Sequence, residues 1–568
     1  MNKISSSSKI QRLIKESRIY CQKNQFFEAK KIYQDLIKII PTHPEVLANL
    51  GAIEIQEGNI EVGIEYLQKS LKVDSSQSFV LANLANALLD TGKVSDALVY
   101  YDRALKINPK SPELFYNKAR ALRASRKYTE AIENYKKALV INPNHIAAIS
   151  NLGFIFNELN EFDHALNEYN KALKIQSSNA EIYYNRGIVY ENQKHYDKAL
   201  EDFNTAINLN ENFKKAYISR GNIKFFQNDL NAATQDYSYA SKLDPFAFEA
   251  IFNLSIIKLI QNNFIEGWKL YESRWEFRKT NNRLQSSKPE LSSFDVLKKR
   301  IVIYQEQGIG DQILYSSLLH QAIKTDNYFY VILDSRLINL FQRSFSSIKN
   351  IRFISSSQEL HEKDYDYHLP IGNLCKFFIK SIQDFENHPQ GFLKSDEKQV
   401  KEIKQKITMP LKKICGISWL SKNEEIGFEK SMALENLLPI LSNSNTTFIN
   451  LQYGDTKKET KNLLDKYNIE LKSISDIDNF NDLDGLASII SACDYIITTS
   501  NVTAHLAGAL NKKTYLMLPF IHGKIWYWGK AGEYSKWYPS VRILRSQDLN
   551  SWGSLMQDLQ ENLKENDD

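Results

Sequence analysis

Small polar residues gather at Thr498-Thr499-Ser500-Asn501-Val502-Thr503-Ala504-His505, directly after the apolar run Tyr495-Ile496-Ile497 and before Leu506-Ala507-Gly508-Ala509-Leu510. The first run has strand composition and the last reads as a helix. Ser500 stands where its hydroxyl would accept from a free N–H of the first helical turn. A strand that turns into a helix through small polar residues makes an anion site, because unpaired N–H groups and the positive end of the helix dipole face outward there. In an open α/β sheet such a turn lies at the carboxyl end of a strand, where ligands bind. The plainer alternative is an ordinary capped helix. A second stretch of this kind is Gln305-Glu306-Gln307-Gly308-Ile309-Gly310-Asp311, after the apolar run Ile301-Val302-Ile303. It lacks the third spaced glycine of a dinucleotide fingerprint, which argues against NAD. Gly308 and Gly310 instead let the backbone approach a ligand closely.

The elements that must position these residues alternate. Strands are expected at Arg300–Tyr304, Tyr328–Leu333 and 351–354, with helices at 312–323 and 337–345 between them. The pattern weakens through 364–395 and a charged segment, 396–413, which reads as a linker or crossover helix. It restarts with strands at 414–419, 447–452, 495–498 and Thr514–Leu518, and helices at 434–441 and Leu483–Ala492. Alternation of this kind argues for parallel sheet. It predicts two Rossmann-like halves, 300–395 and 414–568, meeting at a cleft that faces the carboxyl ends of both sheets.

The first half of the chain is periodic. Small residues recur every 34 positions at Ala29, Gly63, Ala97, Ala131, Ala165, Ala199, Ala233 and Gly267. Large residues follow four later, at Tyr33, Leu67, Tyr101, Tyr135, Tyr169, Phe203, Tyr237 and Tyr271. A second small series runs Gly51, Ala85, Ala119, Gly153, Gly187, Gly221, Ser255. The period and pattern resemble the tetratricopeptide repeat, a helix–turn–helix unit in which small residues let two helices approach and the aromatic fills the gap. About eight units cover 10–278, and 279–299 reads as a linker rich in Ser, Asn and Lys. Asparagines keep the same period: Asn49, Asn83, Asn117, Asn151, Asn185 and, after Ser219, Asn253. The resemblance puts them on the concave wall, where a carboxamide can donate to and accept from an extended peptide. Asn83, Asn117, Asn151 and Asn185 are therefore candidate acceptor-binding residues; the alternative is that Asn is simply frequent at this place.

Composition narrows the classes. A chain of 568 residues is too long for one core. A net charge of +5 with both signs mixed throughout does not argue for nucleic acid. Four cysteines far apart, with no Cys/His cluster, argue against a disulfide framework or zinc site. No signal peptide and no membrane-spanning run is legible, so a cytoplasmic protein is expected.

The motifs at 305–313, Leu451-Gln452-Tyr453-Gly454-Asp455 and 503–510 resemble bacterial tetratricopeptide proteins that carry a C-terminal glycosyltransferase family 9 domain, similar to ADP-heptose:lipopolysaccharide heptosyltransferases. The repeat-then-transferase order is also similar to the O-linked N-acetylglucosamine transferases. The resemblance implies an α-solenoid followed by an α/β GT-B domain, a nucleotide-sugar donor, metal-independent transfer and inversion. By the same resemblance Asp311 falls on the general base, with a helix N-cap as the alternative. Lys430 falls on a lysine that steadies donor phosphate, with a solvated surface lysine as the alternative. Ser500, Asn501, Thr503 and His505 fall on the diphosphate turn, and Gln452 and Tyr453 on the base or ribose. Ser500 stands where heptosyltransferases place an acidic residue, so heptose does not follow as the donor. Trp526, Tyr527 and Trp528 have core, lid or sugar-stacking roles open to them. The sequence thus points to a glycosyltransferase whose repeats present a protein acceptor. Two alternatives stand beside it: a scaffold with a decayed transferase half, and a transferase acting on a glycan or lipid-linked acceptor.

Overall fold

The computed structural model describes residues 2–279, 283–355, 360–386, 388–407, 412–421, 427–518, 526–529, 532–546 and 552–564. The chain divides into two compact units, Met1–Ala216 and Tyr217–Asp568. Sixteen helices, from Asn2–Gln22 to Phe264–Tyr271, form eight antiparallel pairs; the boundary between the units falls inside the thirteenth, Lys214–Phe226.

The periodic small residues explain the pairing. Ala97, Ala131, Ala165 and Ala199 are wholly buried, as are Tyr101, Tyr135 and Phe203. A Cβ on Gly153 would lie 2.8 Å from Tyr169 Cζ, and one on Gly187 2.6 Å from Phe203 Cε1. Glycine in the first helix thus makes room for the ring that the second helix delivers sixteen residues later. A further series keeps the same period. Asn24, Gly58, Gly92, Arg126, Asn160, Lys194, Asn228 and Asn262 all have positive φ, between 57° and 90°. This is the left-handed turn residue that reverses the chain between paired helices. Glycine tolerates it freely and asparagine better than most.

The second unit contains two parallel sheets. Strands β1 (Arg300–Tyr304), β2 (Tyr328–Leu333), β3 (Ile351–Ser355) and β4 (Tyr367–Pro370) are ordered β3-β2-β1-β4. Strands β5 (Lys413–Ser418), β6 (Thr446–Asn450), β7 (Tyr495–Thr499), β8 (Thr514–Leu518) and β9 (Val541–Arg545) are ordered β6-β5-β7-β8-β9. Every pairing within both sheets is parallel. Each order reverses direction once, between β1 and β4 and between β5 and β7. Loops at such a reversal part and leave a crevice at the carboxyl ends of the strands.

Several expected boundaries move. The helix expected at 312–323 starts at Ile309 and breaks into Ile309–Ser316 and Leu319–Ala322. Strand β4 lies inside the stretch where no pattern was legible, since it is only four residues long. Of the two readings of residues 396–413, the crossover helix holds: Glu397–Ile407 buries Ile403 and Ile407 and packs on Leu483–Ala492. Residues 279–299 do not form a free linker. The Leu291 side chain is buried and its N–H donates to the His368 carbonyl of β4; residues 280–282 and 408–411 lie outside the described residues. The expected domain break after residue 278 is displaced to Ala216/Tyr217, because the last repeat helices pack on the α/β part. The Trp268 indole N–H donates to the Ile379 carbonyl at 2.8 Å, and its ring meets Trp526 edge-on at 5.1 Å.

Candidate functional site

Both reversal points carry residues singled out from the sequence. After β1 the chain turns through residues 305–308, and Gly308 is the N-cap of the helix Ile309–Ser316. Asp311 is therefore the third residue of that helix and not its cap. Its carboxylate lies over the turn, where a Cβ on Gly308 would be 3.6 Å from Oδ2. Burial pushes the Asp311 carboxyl up to about 6, against the pull of Lys430 and Arg278 nearby. A cavity of about 490 Å³ opens beside Gly308, walled by Tyr304, Gln305, Ile332 and the Asp334–Arg336 ion pair.

At the second reversal Asn501, not Ser500, caps the helix Val502–Ala509; its side-chain oxygen accepts from the Thr503 N–H at 3.0 Å. The Asn501 amide also donates to Ser418 Oγ at 2.7 Å and to the Leu420 carbonyl. Gln452 holds the same loop from the other side: its oxygen accepts from Ser418 Oγ, Trp419 N–H and Leu420 N–H, and its amide donates to the Leu420 and Tyr453 carbonyls. Gln452 and Asn501 thus spend their polar groups on the loops after β5 and β6. These bonds fix the shape of both loops. Ser500 Oγ accepts from the buried Trp528 indole N–H at 2.9 Å, which replaces the expected capping bond. The hydroxyls of Thr499 and Thr503 are buried without a hydrogen-bond partner among the described residues. Unpaired donors of this kind, at the start of a helix, suit an anion.

The two reversal points come together. The helices Ile309–Ser316 and Val502–Ala509 pack against each other. A Cβ on Gly310 would lie 2.9 Å from His505 Cδ2 and 3.2 Å from its Nε2. Gly310 is therefore where the two helices touch. Gly308 remains exposed. His505 is buried, its Nδ1 within 3.2 Å of Tyr538 Oη and its ring stacked on Trp528. Burial, with Lys430 adding to it, lowers its pKa to about 3, so the imidazole is neutral at ordinary pH. Lys430 ends the short helix Gly427–Lys430 and is buried, not solvated as a surface lysine would be. It is near enough to act on both Asp311 and His505. Tyr453 is half-buried against Phe480 at 6.1 Å. Trp526 and Trp528 are core residues, enclosed by Trp268, Trp537 and His505, which leaves them no free face for a sugar.

The asparagines from Asn49 to Asn185 lie in the other unit, half-buried on the first helices of successive pairs. Asn151 donates to the Ala147 carbonyl at 2.8 Å and to Tyr116 Oη at 3.4 Å. The carboxamides of Asn83, Asn117 and Asn185 have no partner among the described residues. A cavity of about 440 Å³ is bounded by Tyr116, Arg123, Asn151, Phe154, Asn179 and Asn185, from three successive first helices. Three residues escaped the sequence reading: Glu306 and Arg278, which act on Asp311, and Arg274, which holds Glu306. Glu306 was visible in the glycine turn, while Arg274 and Arg278 belong to the repeat end, where nothing in their spacing sets them apart.

Comparison with known proteins identifies the repeats. Profiles described as tetratricopeptide repeat match residues 44–77, 83–146 and 180–213, and one described as TPR repeat matches 155–194. The chain carries tetratricopeptide repeats. It is 28% identical to Protein FlbA of Caulobacter vibrioides over 309 residues, 51% of each chain, and so spans about half the length of that relative. A tetratricopeptide repeat protein from Parabacteroides merdae aligns with 46% of this chain and 98% of its own, at 19% identity and a TM-score of 0.37. MamA from Desulfovibrio magneticus aligns with 30% of this chain and 95% of its own, at 21% identity and a TM-score of 0.28. Among the described residues no helix is long and apolar enough to cross a membrane.

Proposed function

We propose that the chain is a cytoplasmic glycosyltransferase of GT-B architecture, which moves a sugar from a nucleotide-sugar donor to a protein acceptor held by its repeats. The observation that carries this reading is Asp311: a carboxylate raised to about 6 near Lys430, on the helix after one sheet's reversal point, which packs against the helix after the other's. An ordinary aspartate is a poor base for a hydroxyl; one near 6 is ionised at neutral pH yet holds a proton more firmly. In the proposed reaction Asp311 takes the acceptor hydroxyl proton as that oxygen bonds to the anomeric carbon. The bond from that carbon to the diphosphate breaks, and the electron pair leaves with the diphosphate. The positive end of the Val502–Ala509 helix dipole, the Thr499 and Thr503 hydroxyls and Lys430 are the groups suited to receive that charge. Tyr453, at the edge of the crevice, is the candidate for the nucleoside base. The open carboxamides of Asn83, Asn117 and Asn185, with Asn151, are candidates for the acceptor chain.

The test is a thermal-shift screen with UDP, GDP, ADP, dTDP, CMP and their sugar conjugates. A ligand held only by the folded state raises the melting temperature, by an amount set by its concentration relative to Kd. One nucleotide and its conjugates are expected to raise it. No shift with any of them at millimolar concentration would overturn the reading.

A further inference from the structure

The helical segment Arg274–Arg278, which ends the repeats, reaches into the site. Arg274 is 3% exposed, and its guanidinium grips Glu306 with both edges: Nε donates to Oε2 at 2.7 Å and Nη2 to Oε1 at 3.1 Å. Its remaining donors go to Asn373 Oδ1 and the Tyr271 carbonyl, and its plane lies over the rings of Tyr271 and Trp275. Glu306 also accepts from the Gly372 N–H at 3.0 Å. The next residue is held by the same repeat end, since the Gln307 amide donates to Tyr271 Oη at 3.0 Å. Gln312 then donates to the Gln307 carbonyl and accepts from the Asp334 N–H, tying the turn to the start of its helix. A bidentate Arg–carboxylate pair fixes direction as well as distance, and neither partner can turn toward solvent here.

We propose that Arg274 is a positioning residue of the site: by holding Glu306 it fixes the 305–308 turn, and with it the carboxylate of Asp311. The proposal rests on Asp311 as the base. It makes the end of the repeats a built-in part of the reaction site rather than a tether for an acceptor. The charged and titratable groups that act on Asp311 come from every element around it: Lys430, Arg278 and Glu306, together with the rings of Tyr315, Tyr527 and Tyr538. Burial does most to hold the Asp311 carboxyl up, and Glu306, the one anion among these groups, adds to it.

The experiment uses the full chain with the paired substitution Arg274→Gln and Glu306→Gln, which keeps hydrogen-bonding groups and leaves no buried charge alone. Arg274→Lys, which keeps the charge and loses the fork, serves as the second variant should the pair fail to fold. Asp311 is followed by carbon-13 carboxyl NMR, its signal assigned by its loss in Asp311→Asn. Nucleoside diphosphate release from UDP-, GDP-, ADP- and dTDP-sugars gives kcat against pH, and calorimetry gives nucleotide affinity. In the double variant kcat should fall at least tenfold and nucleotide affinity stay within twofold. The Asp311 titration, and with it the acid limb of kcat, should move to lower pH. For Arg274→Lys the same fall in kcat is expected without loss of nucleotide affinity. A folded variant with parental kcat and an unmoved Asp311 titration would overturn the proposal. A moved titration in a chain that turns over no nucleotide sugar would instead sink the transferase reading and leave the Arg274–Glu306–Asp311 link standing.

Discussion

Asp311 shows how environment turns a common side chain into a candidate base. Its folded pKa of about 6 lies above the ordinary 3.8, so the folded chain holds that proton more tightly than the unfolded chain. The favourable contribution is therefore complete below about pH 4 and is lost as pH rises through about 6. Asp311→Asn removes the titration. We expect the variant to gain stability relative to the parent from pH 4 to 6, by roughly 1–3 kcal/mol, with no further change above. Urea unfolding of both proteins at pH 4, 5, 6 and 7 reads this, and a difference that stays flat across the range would mean that Asp311 is not perturbed. The residue types of the site were legible: Ser500, Asn501, Thr503 and His505 stand together in sequence, and the turn they form is real. Which of them caps the helix was not, because Ser and Asn cap about equally well. The choice is made by Trp528, which takes the Ser500 hydroxyl from 28 residues away. Burial was equally hidden at Lys430, where no local pattern separates a buried lysine from one in water.

At the scale of elements, the meeting of two helices depends on one missing side chain. Gly310 lets Ile309–Ser316 lie against the His505 ring, and a methyl group there would sit 2.9 Å from Cδ2. The ring is packed among Tyr527, Trp528 and Tyr538 and has little room to yield. Gly310→Ala should destabilise the α/β unit by about 1–3 kcal/mol, the usual cost of overpacking. Thermal unfolding checks this, and parental stability would show that the two helices can separate freely. On the repeats, replacing Asn83, Asn117, Asn151 and Asn185 together by Ala should weaken modification of a protein acceptor at least tenfold and leave nucleotide affinity alone. Modification at the parental rate would reduce these residues to a feature of the repeat pattern. The elements most legible in the sequence are those with repetition or length: the 34-residue period and the apolar strands. Strands β4 and β9 were missed, and the crossover helix Glu397–Ile407 was left open against a linker. Strand β4 is four residues long, the Val541–Arg545 run of β9 is short and broken by two arginines, and the crossover helix is mostly charged.

For the whole molecule, periodicity alone placed the domain break where the repeats stop, yet the contacts place it earlier. The tetratricopeptide pattern runs to residue 278, while Trp268 and Arg274 are committed to the α/β part. We expect residues 1–216 to fold alone, since repeat units contact mainly their neighbours. Residues 217–568 should fold as well, whereas 279–568 should not. The shorter piece leaves Glu306 buried without Arg274, a loss of about 3–5 kcal/mol, and uncovers Trp526. Circular dichroism and size-exclusion chromatography of the three fragments decide this; a 279–568 fragment as stable as 217–568 would return the boundary to the end of the repeats.

The account turns on Asp311 as the group that takes the acceptor proton. The direct measurement is the rate at which the parent and Asp311→Asn release nucleoside diphosphate from the nucleotide sugar that raises the melting temperature, with nucleotide affinity measured alongside. The account predicts a fall of about a hundredfold or more, with affinity within twofold. Near-parental turnover by Asp311→Asn would contradict it.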